Sequence, residues 1–179
     1  MNFRKIYTLL GMKNIERLSN VPHHRGYNLL EHGLVVGFLF RWFASQEDVP
    51  YDINVFDKVL LHDYVESVTG DLNYLVKNFN RETAEAWSVV EEAICGEDPV
   101  LRNYTDKALA EAMTPLQYKL FKVCDYLDLW IFCKQEEALG NKCNGVRGCI
   151  EKCEQLIDEL TEGCKIFKSV KEFMNQYEG

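Results

Sequence analysis

Leu60-Leu61-His62-Asp63-Tyr64-Val65-Glu66-Ser67-Val68-Thr69-Gly70-Asp71 sets an imidazole and a carboxylate side by side in an apolar helical run. Carrying a carboxylate into a helix core is costly unless a cation or hydrogen bonds compensate. His32 stands thirty residues upstream of His62, and Asp125 sixty-two residues beyond Asp63. Imidazoles and carboxylates together suit zinc, cobalt, manganese or a similar divalent transition metal, which activates water at neutral pH. A His-Asp pair alone is weak evidence for such a site. The chain has only four histidines, His23, His24, His32 and His62, and two of them fall in the middle of apolar helical patterns. That placement strengthens the metal reading.

Working outward, the run around His62 reads as one helix. Asp52 caps it, Val55, Phe56, Val59 and Leu60 point inward, and it ends near Thr69-Gly70-Asp71. Asn28 begins the helix that carries His32, with Leu34, Val35, Phe38, Leu39, Trp42 and Phe43 as its expected buried stripe. Asn2 caps a first helix with Phe3, Ile6, Leu9 and Leu10 inward and Gly11 at its end. Residues 13 to 27 lack clear periodicity and read as loop or short turns. A short helix holds Lys77, and residues 81 to 95 form another, with Trp87, Val90, Ala93 and Ile94 apolar. Asp98-Pro99 starts the next, and Thr114-Pro115 a long helix that carries Asp125 and ends near Gly140. Segments near 144 to 162 and 166 to 177 follow. No convincing alternating run suggests a strand. The expected fold is all-α: a single domain over residues 1–179, a bundle of about eight helices.

Composition narrows the function. At 179 residues and 47% hydrophobic, the chain can bury a sizeable core. Its net charge of −8 and scattered Lys and Arg exclude the broad cationic footing that a nucleic-acid strand requires. A small local cluster of cations still suffices for a free nucleotide. The longest apolar run, Gly33 to Phe40, is far short of the roughly 20 residues of a membrane span. No secretory leader opens the chain, so a cytoplasmic setting is expected, the host cytoplasm if the gene is a phage's. The seven cysteines are odd in number and read as reduced thiols. Cys143, Cys149, Cys153 and Cys164 crowd the C-terminal third without a Cys-x-x-Cys, which favours small core residues over a second metal site.

The order His32, His62-Asp63, Asp125 resembles that of the HD-domain metal-dependent phosphohydrolases. The likeness to bacterial HD-domain 5′-nucleotidases runs further. It takes in Leu30-Glu31-His32, Glu66-Ser67-Val68-Thr69-Gly70-Asp71-Leu72, Val76-Lys77-Asn78-Phe79-Asn80 and Phe121-Lys122-Val123-Cys124-Asp125. Arg17, fifteen residues before His32, matches that family's arginine in spacing. The resemblance covers roughly residues 3 to 140. It implies that His32, His62, Asp63 and Asp125 bind the metal. It implies that Glu66 and Asp71 steer the water and protonate the leaving oxygen. Arg17, Lys77 and Lys122 would neutralise phosphate charge. Three fixed cations and a Lewis acid are sensible machinery for phosphoryl transfer.

The departures bear on the substrate. Leu18 follows Arg17 where these nucleotidases usually have Trp, and the Pro22-His23-His24-Arg25 loop is unlike theirs. In length and opening the chain resembles the compact phage branch, which includes dATP triphosphohydrolases. The expected reaction is therefore hydrolysis of a dATP-like dNTP to deoxynucleoside and triphosphate. The alternatives are a dNMP 5′-nucleotidase releasing phosphate, and a nucleotide-binding regulator without catalysis. A small-molecule nucleotide is the expected partner, with no nucleic-acid strand and no membrane. Family analogy adds a homo-oligomer.

Overall fold

The computed structural model describes residues 4–72, 80–163 and 167–178. Ten α-helices and no strand occur among them. These are α1 (Arg4–Gly11), α2 (Leu29–Gln46), α3 (Ile53–Leu60), α4 (Glu66–Thr69) and α5 (Arg81–Glu97). They continue with α6 (Pro99–Arg102), α7 (Asp106–Ala112), α8 (Pro115–Ala138), α9 (Asn144–Thr161) and α10 (Lys168–Gln176). The expected Asn2 cap and Phe3, the short helix at Lys77, and Cys164 lie outside the described residues. No described helix is long and apolar enough to cross a membrane.

The caps read from sequence stand where a backbone donor needs an acceptor. Asn28, Asp52 and Thr114 accept from Glu31, Val55 and Gln117. At Thr114 the Gln117 side chain returns the bond, closing a capping box on the long α8. The α8 helix is the central rod. It packs against α9 on one side and α2 on the other, and its Leu120, Val123, Cys124, Leu127 and Cys133 are wholly buried. Cys133 and Cys153 are buried and Cys149 half-buried against this core, as core packing requires.

Three expectations need correction. The helix read over Asp52 to Asp71 breaks in two, because residues 61–65 form tight turns with bonds such as Tyr64 N–H to the Leu61 carbonyl. This lets Leu61, Tyr64 and Val65 bury themselves in a second cluster with Met12, Leu29 and Tyr104. The α2 stripe is also rotated. Leu34, Phe38 and Trp42 are exposed, while His32, Gly33, Val36, Gly37, Phe40 and Phe43 face inward. The apolar residues on α2 are too many for one stripe, so periodicity alone could not say which face meets the core. In α1, Ile6 and Leu10 are likewise exposed and Leu9 is half-buried.

Residues 15–28 form the expected loop, braced by its own hydrogen bonds. Glu16 and Asn28 make an antiparallel bridge, and the Arg17 N–H donates to the Tyr27 carbonyl at 2.7 Å. This clamp sets Arg17 beside the start of α2.

Gly33 fixes how closely α2 meets α3. A Cβ placed on it would stand 2.6 Å from the Leu60 carbonyl oxygen, and one on Gly37 3.0 Å from the Leu60 side chain. Because backbone cannot yield as a flexible side chain can, Gly33→Ala should cost about 1–3 kcal/mol despite alanine's better helix propensity. Gly148→Ala, on α9 with open space around it, should instead stabilise by about 0.5–1 kcal/mol. Urea unfolding of both variants checks the pair, and equal shifts of one sign would contradict it.

Candidate metal centre and phosphate site

The α2–α3 contact puts His32, one residue before Gly33, opposite the turn that carries His62 and Asp63. Asp125 approaches from α8. His32 Nε2 and His62 Nε2 are 3.0 Å apart. Asp63 places one carboxylate oxygen 3.4 Å from each of these nitrogens. Asp125 Oδ1 lies 3.3 Å from His32 Nε2 and 3.7 Å from His62 Nε2. Four ligand atoms held about 2.0–2.1 Å from one ion in a tetrahedron stand roughly 3.4 Å from one another. The spacings among His32, His62 and Asp63 suit a shared ion, and Asp125 stands beside the two imidazoles.

The proton positions strengthen the fit. His32 Nδ1 faces Asp128 Oδ2 at 2.6 Å, and His62 Nδ1 faces the Val59 carbonyl at 2.8 Å. A carbonyl only accepts, and so does an ionised carboxylate. Both Nδ1 atoms therefore carry hydrogen, and in neutral rings both Nε2 lone pairs point at each other and at two carboxylates. Such a cluster needs a positive charge at its centre.

The surrounding charges respond accordingly. Burial and the Arg17 charge act to lower the His32 pKa, but hydrogen bonds to Asp125 and Asp128 outweigh them and hold it near about 9. Burial works to raise the Asp63 pKa, yet His62, Arg17 and His32 bring it down to about 2. Asp125 is also held well below the ordinary carboxylate range, against burial, by Lys122 and the two histidines.

The remaining sequence-assigned residues fall as follows. Arg17 makes an ion pair with Asp63 Oδ2. Lys122 Nζ is 2.5 Å from Asp125 Oδ2, one turn earlier on α8. Both cations thus stand against a candidate ligand, within reach of a phosphoryl group there. Glu66 is buried and lines a small polar cavity of about 70 Å³ with His62, Asp63, Glu91, Tyr104 and Asp106. Asp71 is half-buried just past α4 and adds to the field at Arg17. Lys77 lies outside the described residues. Leu18 sits in the left-handed region at φ 52° with its side chain against the core.

Sequence reasoning missed Tyr27, Asp128 and Glu136. Asp128 falls three residues after Asp125, a spacing that puts both on one helix face, and this was the available signal. Glu136 is fully buried and accepts from the His24 and Arg25 N–H groups at 2.7 and 3.1 Å, which ties the Pro22–Arg25 loop to α8. His23 and His24 stay remote from the ligand cluster in role: His23 packs edge-on to Phe132, and His24 contributes its backbone.

An all-α bundle that gathers two histidines and two aspartates from two helices and the turn after α3 defines an HD-domain phosphohydrolase, and comparison with known proteins agrees. A family profile described as 5′-deoxynucleotidase YfbR-like matches residues 5–178, and the chain belongs to that family. The 5′-deoxynucleotidase YfbR of Escherichia coli O1:K1 is 27% identical over 147 residues, covering 74% of this chain and 72% of that protein. An HD-domain phosphohydrolase of Listeria innocua shares the fold with a TM-score of 0.76 at 23% identity, covering 95% of this chain and 86% of its own. The cyanophage S-2L HD phosphohydrolase DatZ, solved with dA and one catalytic Zn²⁺, does so at 0.62 and 20% identity, covering 93% and 96%. The protein is a deoxynucleotide phosphohydrolase, and its donor set is that of a divalent-metal enzyme.

A raised His32 pKa has a defined pH signature. Without a metal, its contribution to stability is fully present below the ordinary 6.5 and is lost as pH rises through about 9. A metal must displace that proton, so affinity climbs over the same window. The low Asp63 pKa acts at the other end, its contribution being present above 3.8 and lost as pH falls through about 2. Chelator-stripped protein should therefore melt lower at pH 9 than at pH 6.5 while binding Co²⁺ more tightly. Flat stability and flat affinity across this range would contradict the protonation assigned to His32.

Proposed function

We propose that the chain acts as one HD-type phosphohydrolase domain over residues 1–179 and hydrolyses the 5′ phosphoester of free deoxynucleotides. The single observation that carries this reading is the convergence of His32, His62, Asp63 and Asp125, with a cation on either side. These four residues would hold the metal, zinc, cobalt, manganese or a similar ion. A bound divalent ion would supply a nucleophilic water near neutral pH and Lewis acidity toward a phosphoryl oxygen.

The chain's own groups do the rest. Arg17 and Lys122 bind and orient the phosphoryl group and offset charge as it transfers. Lys77 is assigned to the same task by resemblance. Water oxygen bonds to phosphorus as the bond from phosphorus to the 5′ oxygen breaks. Glu66, in the small cavity beside His62 and Asp63, takes the proton from the water, and Asp71 returns one to the leaving 5′ oxygen. The products are the deoxynucleoside and the released phosphate chain.

Two substrates fit this chemistry. The cations on the described residues, Arg17 and Lys122, touch candidate ligands themselves and so gather at the first phosphate. That favours a dNMP, and the 27% identity to a 5′-deoxynucleotidase supports it. A dATP-like dNTP, cleaved to triphosphate, is the second reading. The fold shared with DatZ and Lys119 one turn before Lys122 support it. The order reverses the one drawn from the chain's length, its opening and the Leu18 departure. A purely regulatory role has less support, because an idle site would not need two low-pKa buried carboxylates.

The partner surface favours self-association. Leu34, Phe38 and Trp42 are 50%, 60% and 51% exposed and stand four residues apart on α2, and Phe38 and Trp42 line an apolar groove of about 990 Å³. An exposed apolar ridge of this kind can meet the same ridge of a second copy across a two-fold axis.

Product analysis with a panel of dNMPs and dNTPs and added Co²⁺, Mn²⁺ or Zn²⁺ tests the reaction. Rapid phosphate release from dNMPs supports the first reading, and tripolyphosphate from dNTPs the second. Inertness toward both would end the enzyme reading. Glu66→Gln and Asp71→Asn should lower turnover by about 10²–10⁴ with metal content unchanged, whereas His62→Ala and Asp63→Ala should lose the metal. Light scattering after gel filtration should show an oligomer that Phe38→Glu converts to monomer. A monomeric wild type would remove the α2 interface.

A further inference from the structure

Tyr27 and Asp128 are buried, polar and unused by the reaction above. The Tyr27 hydroxyl donates to Asp128 Oδ2 at 2.7 Å, and that same oxygen faces His32 Nδ1 at 2.6 Å. The hydroxyl is also 3.2 Å from His32 Nδ1, so the three groups form a closed triangle. The Tyr27 ring stacks on Phe132 of α8, with centroids 4.2 Å apart and planes 13° apart. It meets the His32 ring edge-on at 6.0 Å. Tyr27 is held at its backbone too, where Arg17 N–H donates to its carbonyl and its own N–H donates to Glu16. The Arg17 guanidinium lies 5.5 Å above its ring centre. Tyr27 is thus fixed on one side to a phosphate-site cation and on the other to a candidate metal ligand.

The geometry points to Tyr27 and Asp128 as positioning residues that lock the plane and tautomer of His32, keeping hydrogen on Nδ1 and the Nε2 lone pair aimed at the metal. The inference rests on the metal reading of the site. Asp128 has the acceptor that Nδ1 requires, and Tyr27 keeps that acceptor in place by donating to it. Without Asp128 the ring could turn or shift its hydrogen to Nε2, where it would block coordination. A carboxylate behind a ligating histidine typically governs metal affinity by about 10–100-fold. One hydroxyl donor to such a carboxylate governs less, about 2–10-fold, the worth of a single hydrogen bond.

Co²⁺ is the probe, with its dissociation constant measured by chelating-dye competition and its coordination by the visible d–d spectrum. Wild type, His62→Ala, Asp128→Ala, Asp128→Asn and Tyr27→Phe are compared, with circular dichroism for each. Asp128→Ala should weaken Co²⁺ by about 10–100-fold and alter the spectrum. Asp128→Asn keeps an oxygen that can accept from Nδ1 and should recover much of the loss. Tyr27→Phe keeps the ring stack and should weaken binding by about 2–10-fold. It stays informative even if Asp128→Ala does not fold. Wild-type affinity and spectrum in Tyr27→Phe, or an Asp128→Ala defect that Asn leaves unrestored, would overturn the positioning role. If wild type and His62→Ala bind Co²⁺ equally weakly, the metal reading itself fails and takes this inference with it.

Discussion

Two imidazoles and two carboxylates turned to one point stay together only around a positive charge, a proton on His32 or a metal ion, and the rest of the structure is organised to hold them there. Their spacings of 3.0 to 3.7 Å are stable only with positive charge at the centre. No single helix could supply this cluster. Asp63 follows His62 in a turn, His32 comes from α2 and Asp125 from α8. The fold brings the three together through a backbone approach at Gly33 that any side chain would prevent. Packing energy from the core around α8 thus works against electrostatic repulsion at the site.

The charges around the cluster are paired across it. Arg17 offsets Asp63 and Lys122 offsets Asp125, while Asp128 compensates His32 from behind. This arrangement lets the carboxylates stay ionised although burial opposes it. It also leaves one guanidinium and one ammonium group beside the point where a phosphoryl group would dock. On the proposed reading the same ion pairs serve the folded state and the chemistry, so a change to one member would alter both. The buried Glu136 extends the pattern by tying the Pro22–Arg25 loop to the far end of α8.

Around this rigid centre, the exposed surfaces are of two kinds. The outward ridge of α2 is apolar and regular, built on the helix whose opposite face carries His32. Contact between copies there would press on the back of a ligand-bearing helix. By contrast, the outer face of α5 carries Val89 and Val90 among charged residues. Its Trp87 donates to Glu91, which also lines the small cavity at Glu66.

The sequence alone determined the helical class, the caps at Asn28, Asp52 and Thr114, and the identity of the candidate metal ligands. These are legible because capping is local chemistry, and because histidine and aspartate in apolar helical runs are costly without a reason. The resemblance supplied Arg17, Lys122, Glu66 and Asp71, which no local pattern marks. Only the tertiary structure decided which face of α2 is buried, since Leu34, Phe38 and Trp42 are as apolar as the residues that won the core. It alone broke the helix at His62, where burying Leu61, Tyr64 and Val65 outweighed continuing the hydrogen-bond ladder. It alone joined Tyr27 to Asp128 across 101 residues. A hydrogen bond at that range depends on how helices pack, and packing is a property of the whole chain that no short stretch of sequence contains.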